Sequence, residues 1–549
     1  MYTTPSNAEL VSLPTVQSIP AVVMIWPQPL DPLHSLLLSA LVAAIPLIVV
    51  LILMGGLRKS SLLASACGLA GTIVLALGVW RMPVSLLSWS ILFGLAYAVL
   101  PILWMVFGGL YLYNLAVATG SFDLLRQWME NHASGDPCIQ AMLVAFCFGA
   151  LLEGTTGFGA PVAVTAFLLV RFGFEPRKAV MLSLLANTAP VAFGGIGVPI
   201  IALSGATGLD INKLSAMIGR QLPFLSFILP AYLAWMVAGR KGLRRCWPEA
   251  LIAGGSFAIV QCLVANLWGP YAADLLSSLV SIVAVVGYRR IVAGSQKSRD
   301  TGENKLSAKS VVLAWLPWAL LSVVMVFWSY FKLFQTGQIL IPIPKLHNGA
   351  LITLYQKSYA AVYALQPLAA GTGILVSTVL TAACLRAKPK VVLESGARTL
   401  QQLKVPGLTV LFIVGLTYLY NYSGMAFTLG AALARAGSIF PLVSSYLGWV
   451  ACFLSGSDTA ANLLFGNLQV AAAHQLHLSP ILLAATNSSG AVAGKMISPQ
   501  NIAVGVTTVG LIGQEGKVLY STFWHSVLMA VVIGLIACVQ AYLFPGLLP

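Results

Sequence analysis

Apolar runs of about 20 residues or more follow one another along almost the whole chain, and each can cross a hydrocarbon core of about 30 Å as a helix. They lie at about 33–57, 61–80, 86–113, 138–173, 178–203, 215–238, 248–268, 270–292, 309–333, 359–385, 405–423, 438–476, 479–503 and 520–545. Backbone groups in lipid must hydrogen-bond within their own segment, so spans of this kind are helices. A membrane β-barrel would alternate apolar and polar residues in short segments, and these runs do not alternate. Charged residues make up 8% of the 549-residue chain, against roughly a quarter in a soluble domain. The fold class is an all-α polytopic membrane protein.

The formal net charge of +15 would point to nucleic acid only if the basic residues gathered on one folded face. They sit in short connections between apolar runs, as cytoplasmic loops do. The clusters are Arg58-Lys59, Arg240-Lys241 with Arg244-Arg245, Arg289-Arg290 with Lys297 and Arg299, and the stretch from Arg386 to Lys404. The first 32 residues are polar and proline-rich, and no Lys or Arg precedes Arg58. That tail lacks the basic start of a signal peptide, and crossing parity places it outside. Eight cysteines fall mostly inside the runs with no CxxC pair or Cys/His cluster, so neither a disulfide framework nor a zinc site is indicated. No cofactor and no metal is expected.

Topology follows from putting all four basic clusters on the cytoplasmic side. Counting one crossing per run from Arg58 to Arg240 gives five, which ends on the wrong side. The conflict disappears if 138–173 enters and leaves on the same side, as Arg126, Arg171, Arg177 and Lys178 on its flanks favour. In the second part, 438–476 must likewise return to the outside before 479–503 crosses inward. Two re-entrant hairpins facing opposite sides, each followed by one crossing, make an inverted-repeat plan with broken helices. The expected organisation is a tail at 1–32, a first half at 33–292, a cytoplasmic linker at 293–308 (GSQKSRDTGENK at its centre) and a second half at 309–549.

The interruptions carry the chemistry. EGTTGFGAP (153–161) breaks the first hairpin and SGSDTAANLLFGN (455–467) the second. NTAPVAFGGIGVP (187–199) and NSSGAVAGKMISPQN (487–501) break the crossings that follow. Opened backbone at membrane depth survives only where it lines a cavity or is buried in protein. Converging half-helix N-termini offer free N–H groups and positive dipole ends to a small anion. Glycines that merely pack helices closely would account for one such break, less readily for four in paired order. Glu153 and Asp458 are the acids inside the hairpins; burying a carboxylate in a span costs at least about 2.5 kcal/mol, so such groups mark ion or substrate paths. Both are candidate proton carriers, and a capping role is the structural alternative. Lys495, the cation inside a break, either meets a substrate carboxylate or neutralises Asp458. Thr155, Thr156, Gly157, Asn187, Thr188, Ser457, Asn462, Asn487, Ser488 and Ser489 complete the candidate binding set, each open to the plainer reading of a satisfied packing residue.

These motifs resemble the bacterial lactate permease family: EGTTGFGAPVAV, NTAPVAFGGIGVP, SGSDTAANLLFGNLQ and above all NSSGAVAGKMISPQNIAVG, spread over both halves. The resemblance implies a cytoplasmic-membrane symporter that takes up L-lactate, often D-lactate and glycolate too, together with protons. It also implies about 12 to 14 membrane segments and kinship with transporters built on two hairpins and elevator-type movement. Paired Thr155 and Thr156 stand where small alanine-like residues are common in the family, and the resemblance is not traced through the tail or the 334–358 connection, which bears on substrate preference.

Other classes compete poorly. A membrane enzyme would need a catalytic pair or metal cluster at membrane depth. ATP-driven transport would need a GxxxxGK[ST] motif, and none occurs. Sodium-coupled transport of another carboxylate and a passive organic-anion channel remain the alternatives to proton symport. Expected partners are a small monocarboxylate, the proton and membrane lipid, with no nucleic acid.

Overall fold

The computed structural model describes residues 25–133, 135–157, 159–293 and 306–549. The expected tail up to residue 24 and linker residues 294–305 lie outside them. The helices in chain order are α1 (Leu36–Gly56), α2 (Ser61–Gly78), α3 (Val84–Ala118), α4 (Ser121–Ala133), α5 (Pro137–Thr155), α6 (Ala160–Arg171), α7 (Pro176–Ala186), α8 (Gly194–Thr207), α9 (Ile211–Arg245) and α10 (Trp247–Leu267). They continue as α11 (Ala273–Ala293), α12 (Ala308–Tyr330), α13 (Ala370–Cys384), α14 (Pro389–Tyr422), α15 (Met425–Leu433), α16 (Phe440–Ser455), α17 (Asp458–Gln475), α18 (Pro480–Lys495), α19 (Pro499–Thr508) and α20 (Glu515–Tyr542). Among the described residues, 11 helices are long and apolar enough to cross a membrane, or 12 if the bent α7–α8 pair counts as one span.

Local sequence explains many boundaries. Ser35, Ser60, Ser307, Ser457 and Ser479 each cap a helix by accepting a backbone N–H three residues on, which satisfies one of the orphan donors at a helix start. Pro137, Pro176, Pro389, Pro480 and Pro499 open helices, where the missing N–H costs nothing.

Two antiparallel pairs enter and return without crossing. At one face, Arg171 at the end of α6 pairs with Glu130 of α4 at 3.2 Å, and Arg245 pairs with Asp136, just before α5, at 2.7 Å. Arg290 reaches His132 at 3.0 Å, so both ends of the α5–α6 hairpin lie with the basic groups. The tip is interior: Gly159 lies against Asn501, and Gly157 against Gly195. For α16–α17 the ends lie at the other face, where Tyr542 Oη donates to Ser438 O at 2.9 Å and the His474 ring lies tilted, its centroid 4.3 Å from that of Tyr355. Its tip, Gly456, lies against Ser498 and Gln500. The apolar window of α5 is fully buried, against 28–44% for the remaining spans. This helix sits inside the bundle and the others shield it from lipid.

The order of elements repeats. α1, α2, the long α3, the short α4, a hairpin, a broken span and α9 are matched by α12, α13, the long α14, the short α15, a hairpin, a broken span and α20. The first series starts at the opposite face and the second at the basic face, giving inverted repeats. α10 and α11 have no counterpart in the second series. As a pair they cross twice and leave the parity untouched.

Three expectations change. The basic stretch 386–404 is not a loop: from Pro389 it is helical and continuous with the following run as one 34-residue helix, α14, about 50 Å long at 1.5 Å per residue. The segment between the third and fourth apolar runs, 114–137, is not a plain connection but contains α4, an amphipathic helix with Phe122, Leu125, Trp128 and Met129 buried. The 334–358 connection and its continuation carry strands: β2 (Ile339–Pro342) pairs antiparallel with β5 (Val362–Leu365). β3 (Ala350–Ile352) pairs with β4 (Lys357–Ser358) and, in parallel, with β1 (Trp26–Pro27).

In a cysteine-free background, Gly135→Cys and Glu175→Cys should react with a membrane-impermeant maleimide from one side only. Ser438→Cys and His477→Cys should react from the other side only. Labelling of the first pair from opposite sides would turn the hairpin into a full crossing.

Candidate functional site

The four interruptions meet at one cavity of about 360 Å³. Gly159, Gly194, Ser457 and Asn501 all line it, and each marks the start of a half-helix (α6, α8, α17, α19). Their N–H groups and positive ends therefore share one space. The cavity extends to exposed Ser60, Val405 and Gln500, so it opens toward the basic face.

At its floor lies an ion pair joining the repeats. Lys495 Nζ stands 2.5 Å from Glu153 Oε1, with the side chains 8% and 3% exposed. Asn187 Nδ2 donates to Glu153 Oε2 at 3.0 Å. Lys495 ends α18, where the carbonyl dipoles favour a cation. Gly194 makes the approach possible: a Cβ there would sit 2.8 Å from Glu153 Oε1. Next to it the chain is left-handed at Gly195, Ile196 and Gly197. Ile196 at φ 63° is a β-branched residue in a region that costs roughly 1–3 kcal/mol, the kind of strain found at functional sites.

Aligning Asn187 with Asn487 and Pro199 with Pro499 puts Gly195 opposite Lys495. The two breaks are thus one motif used twice, with a charge on one copy only. The acids are not equivalent: Glu153 precedes its hairpin tip on α5, whereas Asp458 follows its tip on α17. The sequence left Lys495 between substrate and Asp458; its partner in the structure is Glu153.

Asp458 also lines the cavity. Its Oδ2 accepts from Ser488 Oγ at 3.0 Å, and its Oδ1 has no hydrogen-bond partner among the described residues. Behind it runs a chain of amides. Asn462 Nδ2 donates to Ser488 Oγ and to Pro199 O, Asn487 Nδ2 to Asn462 Oδ1, and Gln469 Nε2 to Asn487 Oδ1, all within 3.0–3.2 Å. Asn462, Asn487 and Ser488 therefore hold Asp458 in place, with Ser457 capping the same helix.

Other candidates are engaged elsewhere. Thr155 and Thr156 donate to the carbonyls of Leu151 and Leu152, and Thr188 to Leu185 O, the usual back-bonding of a buried helical hydroxyl. Ser489 donates to Gln221 Oε1 at 2.6 Å. Gly157 lines the cavity as backbone. Sequence reasoning did not single out Asp274, which is 1% exposed. It also missed the juxtaposition of Asp136, Cys138 and Cys246, whose ligand atoms lie within 4.8 Å of one another; Arg245 and the Cys138 N–H already occupy that carboxylate.

α16 and α18 pack backbone to backbone. A Cβ at Gly448 would overlap Asn487 O, one at Gly490 would overlap Ser445 O, and one at Gly494 would overlap Trp449 O; the last two form a small-xxx-small contact. Gly448→Ala should cost about 1–3 kcal/mol, as overpacking does, seen as a lower thermal midpoint in detergent; an unchanged midpoint would show that the contact yields.

A second cavity, of about 520 Å³, lies toward the opposite face and is lined by Tyr97, Tyr271, Tyr418 and Tyr422. Tyr97 Oη donates to Ile201 O at 3.0 Å, Tyr418 Oη to Gly205 O at 3.1 Å and Asn421 Nδ2 to Ala206 O at 2.9 Å. α3 and α14 thus grip the end of α8 and separate the two cavities.

Inverted repeats, two hairpins, broken helices and a polar cavity at their meeting point define a multi-pass membrane protein of the transporter type. Residues 39–544 match the L-lactate permease family, and the chain belongs to it. It is 40% identical over 556 residues to the glycolate permease GlcA of Escherichia coli K12, covering 95% of this chain and 99% of that protein. It is 36% identical to the L-lactate permease of Salmonella typhimurium and 38% identical to that of Bacillus subtilis, covering 96% of this chain and 100% of each.

Proposed function

We propose that the protein imports L-lactate and related 2-hydroxymonocarboxylates, D-lactate and glycolate among them, by proton symport across the bacterial inner membrane. In this reading the basic face is cytoplasmic and the tail periplasmic. The observation that carries it is the Glu153–Lys495 pair. One buried cation is shared between a resident carboxylate and whatever carboxylate enters the cavity. A substrate anion that takes Lys495 leaves Glu153 without its counter-charge, and an unpaired charge in a membrane interior is costly. A proton on Glu153 removes that charge, so anion and proton bind together. Pairs Lys⁺/Glu⁻ and Lys⁺/substrate⁻ with neutral Glu153 both sum to zero, and such neutral states are the ones able to reorient.

The half-helix N-termini add N–H donors around the anion, and Asp458 stands beside them as the second candidate proton carrier. The relatives' names, lactate and glycolate permease, support the substrate class. The test is uptake into proteoliposomes with pH, sodium and voltage gradients imposed separately. Accumulation above equilibrium driven by an acid-outside gradient is expected. Sodium-driven accumulation would favour the sodium-coupled alternative, and equilibration without accumulation the channel.

A further inference from the structure

We infer that Asp274 is a third acid of the transport path, passing protons from the opposite-face cavity to Glu153; the inference rests on the symport reading above. Asp274 lies in the first turn of α11 and is 1% exposed. Its Oδ1 accepts from Gln261 Nε2 at 3.2 Å, and Oδ2 has no hydrogen-bond partner among the described residues. An acid that merely caps its helix would take backbone N–H groups with its oxygens; the one bond to this carboxyl comes from a side chain of α10.

Its neighbours reach both cavities, although Asp274 itself lines neither. Gly154, next to Glu153 in α5, is pressed against it: a Cβ at Gly154 would lie 3.0 Å from the Asp274 Cβ. Tyr271, three residues earlier, lines the opposite-face cavity. The charged groups that face it are Glu153 from α5 and Lys495 from α18, and these two are already paired with each other. Asp274 therefore has a buried carboxyl, one neutral donor and one bare oxygen, the surroundings of a group that gains and loses a proton. It also stands on the helix pair that only the first repeat possesses, beside the acid that the second repeat lacks at the matching place.

The step is a proton transfer alone. As the substrate anion takes Lys495, the Asp274 O–H bond breaks and its proton passes, over a bridging water, to the Glu153 carboxylate. Asp274 then regains a proton from the opposite-face side.

The experiment uses the full chain in proteoliposomes with radiolabelled L-lactate. Asp274→Asn should reduce accumulation driven by a pH gradient to the level of protein-free liposomes, while lactate–lactate exchange persists at a measurable rate and Asp274→Glu restores accumulation. Accumulation by Asp274→Asn equal to that of the parent would overturn the inference. Should that variant not fold, Gln261→Met keeps the acid and removes its donor. It should move the pH of half-maximal uptake by about one unit, and an unmoved profile would overturn the inference equally. A parent protein driven by sodium alone would instead remove the symport reading and this inference with it.

Discussion

Lys495→Ala should raise the half-saturating lactate concentration at least about thirtyfold, because truncating one member of a buried charge pair costs about 2–5 kcal/mol. Two effects add. The substrate carboxylate loses its cation, and Glu153, 3% exposed, keeps only Asn187 and must take a proton to remain buried. The same loss should destabilise the fold, since breaking a buried pair costs about 3–5 kcal/mol whereas replacing both members with neutral groups is often harmless. A Glu153→Gln/Lys495→Met double variant should therefore regain the thermal midpoint lost in the single variant without regaining transport. Lys495→Ala with an unchanged half-saturation value would move the anion site elsewhere.

Glu153→Gln should uncouple the carrier. With Lys495 freed of its competitor, lactate still binds, and the loaded state (Lys⁺ and lactate⁻) remains neutral. The empty state now carries one uncompensated positive charge, and returning it across the membrane is unfavourable. Exchange of lactate for lactate, which never requires the empty return, should continue. Net uptake should fall steeply, and what remains should respond to an imposed voltage and ignore an imposed pH gradient. Retention of full pH-driven accumulation would remove Glu153 as the carrier, and with it the acceptor of the Asp274 proton, and leave Asp458 as the other hairpin acid able to carry the proton.

Much of this arrangement was legible in the residues. Crossing parity required the two hairpins because basic clusters vote on sides, and the Glu130–Arg171 contact shows both ends of the first hairpin at one face. Paired Gly/Pro breaks announced a shared cavity because backbone can open in a membrane only around one. Other parts were hidden for physical reasons. A threonine in or just after a helix reads the same whether its hydroxyl faces a cavity or a carbonyl three or four residues back, so Thr155, Thr156 and Thr188 were indistinguishable from ligands. Asp274, four residues into its apolar run, gave no sign of its burial, because that depends on how α11 packs against α5, a contact between distant segments. The partner of Lys495 was open for the same reason: Glu153 lies 342 positions away. A basic stretch such as 389–404 looks like a loop when its helix continues beyond the bilayer.

The shared pair also bears on how such a chain could be cut or assembled. Its anion comes from the first repeat and its cation from the second, so a fragment holding either repeat by itself would bring a naked charge into lipid. Co-expressed fragments should survive proteolysis only in each other's company. A homodimer of the first repeat would set Glu153 against Gly195, and one of the second would leave Lys495 without an acid, so each would bury unpaired charges. Within one polypeptide every molecule carries both.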